Sequence, residues 1–216
     1  MTRNIAFIGG GNMAGAIIGG LIKQGTPASS IQVVEPYAAT AELLHAKTGV
    51  QVFNQAGGFL DSASLVVWAV KPQSFKEAAQ PVAAHTPNAL HLSVAAGIPS
   101  ASIARWLGTE RVVRSMPNTP ALVGLGVTGL FARAGVNQDD RQWVDGVAAT
   151  MGKSIWVSDE SQLDAVTAVS GSGPAYVFYF IEALMAAAQD MGLDAEQSRT
   201  LAIETFYGAS TLARTS

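Results

Sequence analysis

Ile5-Ala6-Phe7-Ile8-Gly9-Gly10-Gly11-Asn12-Met13-Ala14 joins a short apolar run to a glycine cluster that opens a helix. Residues 5–8 suit a strand buried on both faces. Gly9 permits the tight turn, Gly11 lets the backbone approach a pyrophosphate, and Ala14 keeps the helix close to the strand. The pyrophosphate then rests on free N–H groups at the helix start, where the helix dipole favours negative charge. An ordinary glycine-rich strand-to-helix turn has the same local pattern, so the decision between the two falls to the rest of the chain.

Moving outward, a helix is expected over 14–24, broken by Gly25 and Pro27, and Ile31-Gln32-Val33-Val34 reads as a second strand ending at Glu35. This is one βαβ unit. A helix over 38–47 closed by Gly49, a strand over 50–53 and the fully apolar strand 65–70 continue the alternation. Strands are expected again at 89–94, 111–114, 126–132 and 154–157, with helices at 101–107 and 139–151. Together they define a Rossmann-like, doubly wound α/β domain over residues 1–160.

From Leu163 onward the strand signal stops, so residues 161–216 form an all-helical domain. A turn at Ser170-Gly171-Ser172-Gly173-Pro174, with Ser172 or Gly173 as cap, leads into a helix over 175–191 that stops at Gly192. Asp194 and Gln197 have capping-box spacing for a last helix running toward Ser216. Apolar side chains from Tyr176 to Met185 surround nearly the whole circumference of the first of these helices, which calls for burial on more than one side.

Composition narrows the function classes. At 216 residues, 13% charged and with net charge −3, the chain offers no basic field for nucleic acid or an anionic membrane. It has no cysteine, hence no disulfide framework and no thiolate nucleophile, in keeping with a reducing compartment. Met1-Thr2-Arg3-Asn4 leads directly into the first strand, leaving no room for a signal peptide, and no apolar run approaches the roughly 20 residues of a membrane span. The expectation is a soluble cytoplasmic protein. Few charges and much alanine point to surface covered by another subunit.

In open α/β sheets ligands bind beyond the carboxyl ends of the strands. The loops expected there are Lys71-Pro72-Gln73, Ala95-Ala96-Gly97 and Ser115-Met116-Pro117-Asn118-Thr119-Pro120. Lys71 either bonds ribose or phosphate or is a solvated lysine, and Pro72 favours a rigid loop by pushing Lys71 away from helical geometry. Ala95 and Ala96 suit a flat ring against the main chain, or tight packing alone. Residues 116–120 form a rigid binding loop or a rigid connector. Glu35 is placed to accept hydrogen bonds from an adenosine ribose, which would favour NAD over NADP, with a solvent-facing carboxylate as the alternative. The 170–174 turn presents N–H and O–H donors suited to a small carboxylate, or is simply a well-made cap. Glu160 either pairs with a cationic or N–H group of a substrate or is a solvated loop residue.

His45, His85 and His91 show no metal-ligand spacing, so no metal is expected. No catalytic acid, base or nucleophile is identifiable, which points to a reaction needing little proton transfer from protein. Hydride transfer to a C=N bond is one, because a protonated imine is already electrophilic at carbon.

The motifs at 7–14, Ala69-Val70-Lys71-Pro72-Gln73, Ser93-Val94-Ala95-Ala96-Gly97-Ile98, Arg114-Ser115-Met116-Pro117-Asn118-Thr119-Pro120-Ala121, and Asp164-Ala165-Val166 through Ala175-Tyr176 resemble, in order, those of the pyrroline-5-carboxylate reductases. The resemblance covers almost the whole chain. It implies NADPH- or NADH-dependent reduction of 1-pyrroline-5-carboxylate to L-proline, the last step of proline biosynthesis, and a homodimer or higher oligomer formed through the helical domain. It implies that Ile8, Gly9, Gly10, Gly11, Asn12 and Met13 hold the pyrophosphate. Asn54, Ala69, Val70, Lys71, Pro72, Val94, Ala95 and Ala96 contact the cofactor, and Glu160, with Ser172 and Gly173, the substrate. The family continues past the length of this sequence with further helices and a Ser-Pro-Gly-Gly-Thr-Thr-like turn. On that ground the 216-residue form is expected to bind cofactor and to reduce the imine poorly or not at all. Two rival readings are a cofactor-binding protein without full activity and a related Rossmann reductase acting on another small acid. The latter would want a lysine or histidine proton donor, and residues 175–216 contain neither.

Overall fold

The computed structural model describes residues 3–215. Met1 and Thr2, half of the chain start read above against a signal peptide, and Ser216, the expected limit of the last helix, lie outside the described residues. The chain divides into two compact units, residues 1–167 and 168–216.

The first unit contains, in order, β1 (Asn4–Ile8), α1 (Asn12–Lys23), β2 (Ile31–Val34), α2 (Ala38–Thr48), β3 (Gln51–Phe53), β4 (Ala63–Trp68) and α3 (Pro72–Ala83). It continues through β5 (Leu90–Ser93), α4 (Ser100–Leu107), β6 (Val112–Met116), β7 (Gly126–Ala132), α5 (Gln138–Ala148), β8 (Gly152–Trp156) and α6 (Gln162–Val166). The strands form one sheet in the order β3-β2-β1-β4-β5-β6-β7-β8. All neighbours are parallel except β6 and β7. Strand order reverses direction between β1 and β4, the place where such sheets open a ligand crevice.

Period-two alternation sends the strand side chains to two cores. Ile5 and Phe7 of β1 pack with Ile17, Ile18 and Leu21 of α1 on one face. Ala6 and Ile8 pack with the other, where Phe75, Ala79 and Val82 of α3 and Ile103 and Leu107 of α4 are buried. Helices on both faces explain why these strands read as unbroken apolar runs.

Three features differ from the sequence reading. The strand expected to reach Val70 ends at Trp68, and the loop expected through Gln73 ends at Pro72, the first residue of α3. Lys71 is extended (φ −62°, ψ 144°), as the following proline requires, but proline is also well suited to the first helical position. The expected domain boundary at 160/161 falls short of the observed division because α6 belongs with the sheet. Leu163 is fully buried, and Val166 packs so closely over Gly129 that a Cβ there would stand 2.9 Å from it.

His91, in β5, is buried beside Trp68 and accepts a 3.2 Å hydrogen bond at Nδ1 from Trp68 Nε1, which assigns its proton to Nε2. Burial lowers its pKa to about 4, the Arg111 charge acts in the same direction, and the Thr86 backbone offsets them only in part. The folded protein therefore keeps this ring neutral while the unfolded chain takes up a proton. Stability is lost as pH falls from the ordinary histidine value toward 4, by about 3 kcal/mol from this group. His91→Gln retains an acceptor for Trp68 and should flatten that part of the dependence. Urea midpoints at pH 7 and pH 4 check it, and an equally steep loss in the variant would refute the assignment.

In the second unit, α7 (Gly173–Asp190) and α8 (Ala195–Ala213) pack together, with the Phe180 and Phe206 rings 6.3 Å apart. The expected capping box is present: the Asp194 carboxylate accepts from the Gln197 backbone N–H at 2.8 Å, and the Gln197 side-chain Oε1 accepts from the Asp194 backbone N–H at 3.1 Å. The expected turn at 170–174 is instead helical. A π-helical turn spans Thr167–Gly171, Ser172 is right-handed helical, and its side chain does not cap α7. Pro174 has no N–H for an ordinary helical bond, and widening the preceding turn accommodates that loss without breaking the helix. Tyr176, Phe178, Tyr179 and Phe180 each keep more than half of their surface exposed. Among the described residues no helix is long and apolar enough to cross a membrane.

Candidate cofactor-binding site

The carboxyl ends of β1, β2 and β4 enclose a crevice of about 680 Å³. Ile8, Gly9, Gly11, Glu35, Asn54, Ala69, Val70 and Lys71 line it together. The glycine turn is fixed from both neighbouring strands: Gly9 N–H donates to the Val34 carbonyl and Ala69 N–H to the Ile8 carbonyl, both at 2.8 Å. Gly9 has φ +96°, and a Cβ there would lie 2.5 Å from the Ala69 carbonyl oxygen. Gly11 is the opposite case. A Cβ on it would meet no protein atom within 4 Å, and as N-cap of α1 it supplies no capping side chain. The first-turn N–H groups of α1 are thus left for an outside acceptor in open space, which fits a dinucleotide pyrophosphate.

Gly10 does not line the crevice, and its N–H donates to Glu35 Oε2 at 2.8 Å. Tyr37 N–H donates to Glu35 Oε1 at 2.9 Å, so this buried carboxylate ties the glycine turn to the exit of β2. Asn12 and Met13 begin α1, and Pro72 begins α3. Val94, Ala95 and Ala96 follow β5, one strand beyond, and do not line the crevice. Sequence reasoning missed Tyr37, Thr40, Gln55, Ser74 and Glu77, which do. Two of these lie on α3. The spacing of Phe75, Ala79 and Val82 is the signal that would have revealed that helix.

Glu160 lies elsewhere in the first unit, where its carboxylate gathers three donors. Ser100 N–H donates to Oε1 at 2.7 Å, Ser100 Oγ to Oε2 at 2.6 Å, and Arg114 Nη1 to Oε1 at 2.9 Å. Arg133 Nη1 donates to Ser100 Oγ at 3.3 Å and its guanidinium pairs with Glu110. Pro99 cannot cap α4 by side chain, so a carboxylate from far along the chain does so. Burial alone would push the Glu160 carboxyl up; the Ser100 hydroxyl and N–H and the Arg114 guanidinium together hold it below the usual range. Neither Ser100 nor Arg133 was expected in this role. Ser172 and Gly173, in the second unit, stand at the start of α7.

A doubly wound sheet whose switch point carries an uncapped glycine turn defines a dinucleotide-dependent oxidoreductase of the Rossmann class. The chain is 43% identical to pyrroline-5-carboxylate reductase of Pseudomonas aeruginosa over 100% of its own length and 80% of that protein, and 41% identical to that of Haemophilus influenzae over 95% and 76%. It belongs to the pyrroline-5-carboxylate reductase family. The family profile for pyrroline-5-carboxylate reductase dimerisation matches residues 160–216, and that for NADP oxidoreductase, coenzyme F420-dependent, residues 4–97. The pyrroline-5-carboxylate reductase of Coxiella burnetii superposes with a TM-score of 0.93 at 37% identity, covering 100% of this chain and 81% of the other. The Plasmodium falciparum pyrroline carboxylate reductase, solved with NADP bound, does so with a TM-score of 0.87 at 26% identity, covering 99% and 79%.

Proposed function

We propose that this chain reduces 1-pyrroline-5-carboxylate to L-proline with NADH or NADPH. The observation that carries this reading is the open, uncapped Gly11 turn at the switch point of a chain that matches reductases of this substrate along its full length. When bound, the dinucleotide supplies the hydride that reduces the ring C=N carbon. The protein holds the pyrophosphate on the first turn of α1, and residues 69–72 and 94–96 position the rest of the cofactor. The imine nitrogen enters protonated, so the product amine needs no further proton from a side chain, and positioning carries most of the catalysis. Glu160, and separately Ser172 and Gly173, are assigned to the substrate on the strength of the family resemblance.

Assembly with a second copy through the helical unit accounts for the exposed aromatic face of α7 and for the dimerisation profile over 160–216. We place the reaction in the cytoplasm. Adding 1-pyrroline-5-carboxylate to the purified protein with reduced cofactor should consume NADH or NADPH and form proline in equal amounts. Oxidation of neither cofactor, both by this chain and by one extended to the length of its relatives, would overturn the assignment.

A further inference from the structure

We propose that the first unit carries a second small-molecule site, at the opposite side of the sheet from the crevice, which takes a small free α-amino acid as its zwitterion. A cleft of about 620 Å³ opens where β1, β4, β5 and β6 begin, within the range of roughly 300–1,000 Å³ typical of small-molecule sites. These four strands run parallel, so their amino ends share one side of the sheet, and their carboxyl ends share the other with the crevice.

Most of the charge lining the cleft is matched within the chain. Arg111 Nη2 donates to Asp140 Oδ1 at 2.7 Å and its Nη1 to the Asn88 carbonyl, while His85 Nδ1 meets the Asp61 carboxylate at 2.7 Å. Two groups are left over. The Arg3 guanidinium lies 4.8 Å above the Trp143 ring and makes no hydrogen bond or ion pair among the described residues. The Asp139 carboxylate makes none either. Asp139 and Trp143 stand four residues apart on α5, hence on one face of the helix with their Cβ atoms about 5–6 Å apart. Arg3, seated on the indole, and Asp139 therefore present opposite charges on the same stretch of cleft wall without pairing to each other.

A zwitterion fills that gap. Its carboxylate takes the edge N–H groups of Arg3, which stacking on the ring leaves oriented in one plane, and its ammonium takes Asp139. A plain anion would face the carboxylates of Asp61, Asp139 and Asp140, and a plain cation would face the unpaired guanidinium, so neither charge alone is complementary to the cleft.

L-Alanine is the probe, since it is not the product of the reaction proposed above and does not report on that site. Calorimetry on the unmodified protein should give a dissociation constant of about 1 mM or tighter, unchanged when NADH is added. N-acetyl-L-alanine and L-alaninamide, which each lack one of the two charges, should bind at least tenfold more weakly. Arg3→Gln and Asp139→Asn alter exposed side chains, so both variants should fold, and each should weaken L-alanine at least tenfold. No binding of L-alanine, displacement by NADH, equal binding of either analogue, or unchanged affinity in either folded variant would overturn the proposal. None of these results bears on imine reduction, which is read at the crevice.

Discussion

Gly9→Ala should unfold or severely destabilise the first unit, while Gly11→Ala should leave it folded and unable to hold a dinucleotide. At Gly9 the backbone has φ +96°, and the new methyl would press on the Ala69 carbonyl oxygen at 2.5 Å. The left-handed conformation alone costs an L-residue about 1–2 kcal/mol, and relieving the contact means breaking the register of β1 against β4. A loss of at least about 3 kcal/mol is expected, visible in the urea midpoint. At Gly11 φ is −70° and the methyl meets no protein atom within 4 Å. It stands where the pyrophosphate must approach, so affinity for NADH should drop about 100-fold, equivalent to roughly 3 kcal/mol, with a nearly unchanged midpoint. Equal behaviour of the two variants in both measurements would mean that the turn does not divide its labour this way.

Glu160→Ala should lower stability by about 2–3 kcal/mol, since it strips the acceptor from a buried serine and a nearly buried guanidinium at once. For a unit of this size that is a fall of about 5–10 °C in melting temperature. Glu160→Gln keeps one acceptor oxygen and should lose less. Glu110→Ala cuts only an ion pair whose carboxylate faces solvent and should cost less than either. Because the Glu160 carboxyl is held below its usual range, its contribution is present above the ordinary glutamate pKa and lost as pH falls through the lowered one. A Glu160→Ala melting temperature matching that of Glu110→Ala would show that the clamp bears no weight.

Features that depend on near neighbours in the chain were legible before any coordinates. The β1-α1-β2 unit, the ends of β7 and the Asp194–Gln197 box follow from side-chain spacing and backbone preference within a few residues. The failures are equally physical. Polar residues and Pro81 disguised α3, whose short apolar stripe becomes visible only against a sheet. The serine-glycine stretch before α7 was read from residue preference as a turn, but local hydrogen bonding continued as a widened helix. The roles of Ser100, Arg114 and Glu160 depend on a helix start, a strand and a loop meeting in space, which no local pattern encodes. Asn54 and Lys71 do line the crevice, yet the hydrogen bonds that fix Glu35 at its wall come from backbone groups, which carry no signature in residue identity.

The aromatic face of α7 has a thermodynamic meaning beyond the contact it invites. A helix pair that leaves four aromatic rings largely in water has little apolar burial of its own to set against the entropy of ordering its chain. If a second copy covers that face, as proposed above, folding and association become a single equilibrium, and the stability of the helical unit follows mass action. The concentration of the protein, as much as any bond within it, would then decide what fraction of the helical units is ordered.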